Sequence, residues 1–384
     1  MMRRRFLQYR TEPKANTVIT VMHVIDTGGP GGAETVFLQT ASGLDPSKFR
    51  SRAIVANDGW LATQLRQRNL TPYVLEATGS FNGRYLARLG RLARALRADV
   101  IVAHLYGSAV YASVAGRLLG IPVVSVLHGQ TDVSGADRFS IWKAAFVRWG
   151  SREVVFVSDR LKRDLAPRLG LPASRCAVIP NGVDTAIYRP QPDRSLRAEL
   201  GLAEDVFLIG AIGNVRPPKA YDLLLRAART LVDRLPRVHL VIAGEGDNAL
   251  GRDLAELCDR LGLAAHVTFL GLRADIPRIL NNLDVYVLSS RTEGFSIACI
   301  EAMACGIPVV ATRSGGPDEI LAGDAGLLVP TDDPGALATA VERIVTSKDL
   351  ADRLTATALQ RVHEEYALGR MLSRYEQLLA RVAE

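Results

Sequence analysis

Arg291-Thr292-Glu293-Gly294-Phe295-Ser296-Ile297-Ala298-Cys299-Ile300-Glu301-Ala302-Met303-Ala304-Cys305-Gly306 is the stretch on which the fold turns. The apolar, β-prone run Val285–Leu288 precedes it. Gly306 then stops a helix, Pro308 forbids its continuation, and Val309-Val310-Ala311 starts another strand. Glu293 is thereby placed in the loop at the carboxyl end of a parallel strand, where open α/β sheets bind ligands. The helix start behind it offers unpaired N–H groups and partial positive charge, which suit phosphate. Glu301 lies about two turns further on, a rise of about 9–12 Å, so the two carboxylates cannot share one small group. They bracket an elongated, phosphate-bearing ligand instead.

Working outward, short β-prone runs alternate with helical patterns along the whole chain. The first half predicts strands at Thr17–Ile25, Ser51–Ala56, Thr71–Leu75, Val100–Ala103, Pro122–Leu127, Glu153–Val157 and Cys176–Ile179. Helices with apolar spacing of three and four, such as Ala33–Leu44 and Arg84–Leu96, lie between most of them. Tyr188-Arg189-Pro190-Gln191-Pro192-Asp193 is proline-rich and polar, the profile of a linker. Alternation restarts with Val206–Ile212, Leu240–Ala243, Val267–Leu270, Val285–Leu288, Val309–Ala311 and Leu327–Val329. The chain of 384 residues is too long for one core, so two doubly wound α/β domains with a cleft between them are expected. The expected boundaries are a basic disordered tail over 1–16, a first domain over 17–190 and a second over 191–363. An amphipathic segment from about Leu350 to Val382 would cross back, its last part (about 364–384) packing on the first domain.

Hydrophobic content of 48% and 23% charged residues describe an ordinary globular protein, and no apolar run approaches a membrane span. The net charge of +7 fits an anionic ligand or surface, yet the basic residues are scattered and form no nucleic-acid module. Nucleic acid is therefore not an expected partner. Cys176, Cys258, Cys299 and Cys305 form no C-x-x-C pair and read as reduced core cysteines of a cytoplasmic protein.

Four positions carry candidate chemistry. Asp26-Thr27-Gly28-Gly29-Pro30-Gly31-Gly32-Ala33-Glu34 joins the first strand to a helix, and its glycines let backbone approach a ligand closely. As a dinucleotide fingerprint it fails, because Glu34 stands where a third Gly or Ala should be. A plain flexible turn is the alternative. His128 lies just beyond another first-domain strand, where a ligand role and a structural role are both open. Gly213-Asn214-Val215-Arg216-Pro217-Pro218-Lys219 forms a strand-to-helix corner whose Arg and Lys would pair with a diphosphate, against a reading as solvated surface charge. The chain has only six lysines, which makes Lys219 at this corner less casual. Phe139, Trp142, Phe146 and Trp149 share a helical face with Arg138, Lys143, Arg148 and Arg152 nearby; core packing is the expected use, an interfacial helix the alternative. The sequence contains no Asp-x-Asp and no phosphate-loop motif, so neither a metal-chelated diphosphate nor a P-loop ATPase is supported.

Taken together, these residues resemble retaining glycosyltransferase family 4, of the GT-B fold. The series runs in the family's order from Gly31-Gly32-Ala33-Glu34 through His128-Gly129, Pro180–Asp184, Arg216 with Lys219, Ala243–Gly246, Phe269-Leu270-Gly271 and Glu293 with Glu301. Ser314–Glu319 and Gly326–Pro330 close it. The resemblance implies a UDP- or GDP-sugar donor on the second domain, the acceptor on the first, and neither cofactor nor metal. On that reading Lys219 and Arg216 neutralise the diphosphate, with Asn214 and Gly244 lining its loop. The N–H groups at Gly294, Phe295, Ser296 and Ile297 add donors. Glu301 would hold the ribose, Glu293 the donor sugar, and Arg273 would lie near the base. Gly31 and Gly32 would close on the diphosphate, and His128 would touch the sugar or the acceptor.

The family's arginine directly after the corner glycine is replaced by Asn214, and its glycine after the lysine by Ala220. Surface-polysaccharide or other glycoconjugate assembly, with a saccharide, lipid-linked or small-molecule acceptor, is the expectation by resemblance. It includes peripheral contact with the inner membrane face. An NAD-dependent oxidoreductase built on the glycine loop, a non-catalytic nucleotide-sugar-binding protein and a nucleotide-sugar epimerase are the competing readings.

Overall fold

The structure, a computed structural model, describes residues 18–76, 82–129, 140–246 and 248–384. The expected basic tail, Gln130, Arg138 and Phe139 lie outside the described residues. Two parallel sheets organise the chain. The first contains β1 (Ile19–Ile25), β2 (Phe49–Val55), β3 (Tyr73–Val74), β4 (Val100–His104), β5 (Val123–Leu127), β6 (Glu153–Phe156) and β7 (Cys176–Val178), in the order β3-β2-β1-β4-β5-β6-β7. The second contains β8 (Phe207–Ile212), β9 (Val238–Ala243), β10 (Val267–Gly271), β11 (Val285–Leu288), β12 (Val309–Thr312) and β13 (Leu327–Val329), in the order β10-β9-β8-β11-β12-β13.

The central strands are rich in β-branched residues and buried along their whole length, as Val100–His104 and Val123–Leu127 show. Parallel strands covered by helices on both faces require that composition. Helix starts are set locally by short polar side chains: Asn82, Ser158, Asn248, Ser296 and Asp333 each accept a hydrogen bond from the backbone N–H three residues on. In each sheet the strand order reverses once, between β1 and β4 and between β8 and β11. Those two switch points face one cleft, and the loops singled out in the sequence, after β1, β8 and β11, stand at them.

Strand boundaries differ from expectation by one or two residues at several ends. One difference matters: β4 extends to His104, because its backbone is held in register between Ile25 of β1 and Val126 of β5. At the carboxyl end the expected amphipathic segment divides into helices Lys348–Arg361 and Leu368–Ala383, separated by a wide turn over Val362–Tyr366. Around Ala367 the chain runs beside Val183: Val183 N–H donates to Tyr366 O (2.8 Å), and Leu368 N–H donates to Val183 O (2.9 Å). The two crossings between the sheets are thus hydrogen-bonded to each other. The last helix buries Met371, Tyr375, Leu378 and Leu379 against Val21, Val100 and Val124 of the first sheet.

Candidate active site

The second-domain wall is built from the loops after β8 and β11. Gly213 (φ +149°) and Gly244 (φ +156°) sit back to back, and a Cβ on Gly244 would lie 2.1 Å from Gly213 O. Only glycine permits both that backbone and that approach. Pro217-Pro218-Lys219 makes one tight helical turn, after which Ala220 adopts a left-handed conformation (φ +50°) before the helix Tyr221–Arg234. That is where the family glycine is replaced. Ser289 Oγ donates to Lys219 O (2.8 Å) and Arg291 N–H to Pro218 O (2.8 Å), stitching the two loops together. Lys219 Nζ then reaches Glu293 Oε1 at 2.7 Å, and Ser290 Oγ donates to the same oxygen at 2.7 Å. Glu293 N–H donates to Ser314 O (2.8 Å), and Gly316 N–H donates to Glu293 O (3.0 Å), so the glutamate's backbone is pinned from the far side as well.

Ser296 caps the helix Ile297–Ala304, and Phe295 is buried edge-on against Tyr366. Phe295 is thus an anchor for the loop, which leaves its backbone as the part available to the cleft. Among the described residues the N–H groups of Phe295, Ser296 and Ile297 find no acceptor. Glu301, on that helix, is pushed up to about 7 by burial, and the Tyr188 hydroxyl of the linker partly offsets the shift. Arg216 is exposed and has no ion pair among the described residues. Arg273 is committed: its guanidinium donates to Asp275 (2.8 and 2.7 Å) and to Glu199 (2.8 Å). Three of the five guanidinium N–H groups are thereby used, and two remain for any contact with a base.

The first domain meets this wall closely. A Cβ on Gly294 would lie 2.1 Å from His128 O, and Ser158 Oγ donates to Gly294 O at 2.8 Å. Gly32 lies against Ile297, whereas the Glu34 carboxylate folds over Gly31. Asn214 Nδ2 donates to Pro30 O (2.9 Å), while its Oδ1 accepts from Glu245 N–H (3.1 Å). The residue standing in place of the family arginine therefore ties the first domain's glycine loop to the second domain. Burial pushes His128 down to about 3, so its ring is neutral at physiological pH. His104, which the sequence reading passed over, lies 3.1 Å from it. Finding it required knowing that β4 and β5 are neighbours.

Gly31, Gly32, His128, Asn214, Gly244, Lys219, Glu293, Gly294 and the helix start at Ile297 are thus brought to one cleft. The aromatic stripe departs from expectation. Trp142 is 64% and Trp149 50% exposed, as is Ile141 at 80%; Phe146 alone of the described members packs partly against the core. The helix Ser140–Gly150 lies at the molecule's surface, so one face suffices for packing. Among the described residues no three His, Cys, Asp or Glu are grouped to hold a metal ion, and no helix is long and apolar enough to cross a membrane.

Two parallel-sheet domains facing each other across such a cleft define the GT-B class of transferase folds. Two family models match, Glycosyltransferase Family 4 over residues 30–187 and Glycosyl transferases group 1 over residues 206–347. The chain belongs to glycosyltransferase family 4. The D-inositol 3-phosphate glycosyltransferase of Stackebrandtia nassauensis is 32% identical over 281 residues, 68% of this chain and 63% of that protein. Its counterpart in Mycobacterium marinum is 31% identical over 65% of this chain and 56% of that protein. The chain thus spans less than two thirds of the length of these curated relatives. Among solved structures, Anabaena HepE in complex with UDP and glucose aligns with a TM-score of 0.85 at 24% identity, over 94% of this chain and 99% of that one. WaaG, a glycosyltransferase involved in lipopolysaccharide biosynthesis, aligns at 0.75 with 17% identity, over 94% and 99%. At such identities the likeness is one of fold.

Proposed function

We propose that the chain transfers a sugar from a nucleoside-diphosphate sugar to a hydroxyl acceptor, with retention of anomeric configuration and without a metal ion. The observation that carries this reading is the convergence of Lys219, the free N–H groups at Phe295–Ile297 and Glu293 at one switch-point cleft. A uridine diphosphate donor is favoured by the likeness to HepE, whose solved complexes hold UDP and UDP-glucose.

Lys219 and the helix start take up charge as the diphosphate departs, the largest contribution when donors are fixed beforehand in a site that excludes water. Glu293 accepts from a hydroxyl of the donor sugar while Lys219 holds the carboxylate in place. Glu301 accepts from the ribose. The acceptor oxygen attacks the anomeric carbon from the face the phosphate leaves, the carbon–oxygen bond to phosphate breaks, and the acceptor's proton passes to the departing phosphate oxygen. No enzymic nucleophile is needed, and the neutral His128 ring is suited to hydrogen bonding rather than to taking that proton. An NAD-dependent reading is disfavoured by the Glu34 carboxylate lying over Gly31, where a pyrophosphate would have to approach.

The test is a thermal-shift panel of nucleotide sugars followed by mass spectrometry of products from a mixed acceptor pool. Lys219→Ala and Glu301→Ala should each cut transfer by more than about tenfold, the loss of one charge-assisted contact. Normal turnover in both variants would refute the assignment. Absence of any product, with UDP still bound, would favour a non-catalytic binding protein.

The acceptor is read as a hydroxyl of a saccharide, lipid-linked or inositol-type molecule in glycoconjugate assembly. Ile141, Trp142 and Trp149 on one helix and Leu118 on the helix beside it are exposed apolar side chains, and the Arg117 guanidinium lies 5.5 Å from the Trp149 ring centroid. Arg148 and Arg152 add positive charge. That chemistry suits the surface of an anionic membrane. Co-sedimentation with vesicles of anionic lipid should fall at least about threefold in Trp142→Ala/Trp149→Ala, as interfacial aromatic area is lost. Equal sedimentation of variant and parent would remove the membrane contact from the account.

A further inference from the structure

Three histidines lie on neighbouring strands of the first sheet: His23 on β1 and His104 at the end of β4 are buried, and His128 just past β5 is partly exposed. His104 is completely buried, with Phe37 edge-on to its ring (centroids 5.3 Å, planes 75° apart). Its Nδ1 is 3.1 Å from His128 Nε2. The two rings are inclined by only 20° with centroids 5.3 Å apart. Combined with the short nitrogen–nitrogen distance, this is two imidazoles meeting edge to edge in nearly one plane, rather than a face-to-face stack. An N–H in one ring plane then aims at the in-plane lone pair of the other.

One hydrogen occupies that contact, and the surroundings of His104 decide which ring carries it. His104 Nε2 is buried with no hydrogen-bond partner. If His128 donated, His104 would have to keep its own hydrogen on Nε2, as an orphaned buried N–H. If His104 donates from Nδ1, its Nε2 is a bare acceptor. Buried donors without partners are the rarer of the two, so the second arrangement is favoured. The backbone supports a fixed ring: β4 is paired on both sides at His104, and the next residue, Leu105, is held at φ +70° with its N–H donating to Val126 O (3.0 Å). A leucine at positive φ is strained, and such strain persists only where neighbouring structure enforces it.

We propose that His104 is a positioning residue for His128: its Nδ1–H donates to His128 Nε2, fixing the second ring at the cleft in the Nδ1–H tautomer. His128 then has its Nε2 lone pair occupied and carries its one ring proton on Nδ1, so that Nε2 does not serve as a base. Both rings are held far toward the neutral form by burial, in keeping with this assignment. The contribution to catalysis rests on the sugar-transfer reading above; the tautomer does not.

The experiment pairs nitrogen-15 NMR of histidine-labelled protein at pH 7 with steady-state kinetics on a UDP-sugar. The His128 signals are assigned by their loss in His128→Gln. The parent protein should show His128 protonated at Nδ1. His104→Asn, whose amide nitrogen can stand near the place of Nδ1, should keep that tautomer and most of kcat. His104→Leu should lose the single tautomer and drop kcat about tenfold while the donor KM stays within about twofold, the pattern of an interaction needed beyond ground-state binding. A parent His128 protonated at Nε2, a His104→Leu protein with the parental tautomer, or equal kcat losses in the Asn and Leu variants would each overturn the proposal. A parent protein without transfer activity would defeat the functional reading, and the NMR result would still decide the tautomer.

Discussion

At the scale of single residues, Glu301 makes the sharpest statement. Its carboxyl is raised from 4.5 to about 7, chiefly by burial, so the folded state holds its proton more tightly than the unfolded chain. Stability from this group is therefore fully present below the unfolded value and declines as pH rises between 4.5 and about 7, by at most about 3 kcal/mol. On the proposed reading ligand binding has the opposite slope, since a ribose hydroxyl donates more strongly to the carboxylate than to the acid. UDP affinity should thus weaken about tenfold from pH 8 to pH 6, measured by calorimetry, and Glu301→Gln should lack that dependence. A parent protein whose UDP affinity has the same slope as Glu301→Gln would remove Glu301 from the ribose. Glu301 and Glu293 were legible in the sequence as carboxylates too far apart to act together. The partners that set their behaviour were not: Tyr188 approaches Glu301 from the linker, and Lys219 reaches Glu293 from a loop 74 positions away in the chain. Such meetings depend on strand order, which periodicity does not encode.

At the scale of elements, the β–loop–α pattern could be read almost strand by strand, because parallel strands buried on both faces leave unbroken β-branched runs. The wide turn at Val362–Tyr366 escaped that reading. Amphipathic spacing continues on both sides of it, and the break is imposed by the backbone pairing of Ala367 with Val183. The aromatic helix was misjudged for a related reason. A stripe at helical spacing shows which residues share a face, but not whether another element covers that face. The loop at Gly294 offers a test of how the elements meet. A Cβ there would press on the His128 carbonyl, which belongs to backbone and cannot swing aside. Gly294→Ala should keep its helical circular dichroism, hold the domains apart and raise the radius of gyration in small-angle scattering, with transfer reduced by about tenfold or more as water enters. An unchanged scattering profile with full activity would show that this approach is not needed for closure.

For the molecule as a whole, the two sheets reverse their strand order at β1/β4 and β8/β11, and one cleft receives the loops from both. The two chain crossings are hydrogen-bonded to each other where Val183 runs beside Ala367. The Asn214–Pro30 hydrogen bond joins the two domains a second time. The domains already meet closely, with His128 O against Gly294, an arrangement that would exclude water from a departing diphosphate. Sugar transfer at this cleft requires that it hold a nucleoside diphosphate through Lys219. Calorimetric titration of UDP into the parent protein and into Lys219→Ala measures that directly. One site per chain, with the variant weakened about ten- to hundredfold by loss of a charge-assisted contact, is the predicted result. Absence of UDP binding in the parent, or equal affinity in the two proteins, would contradict it.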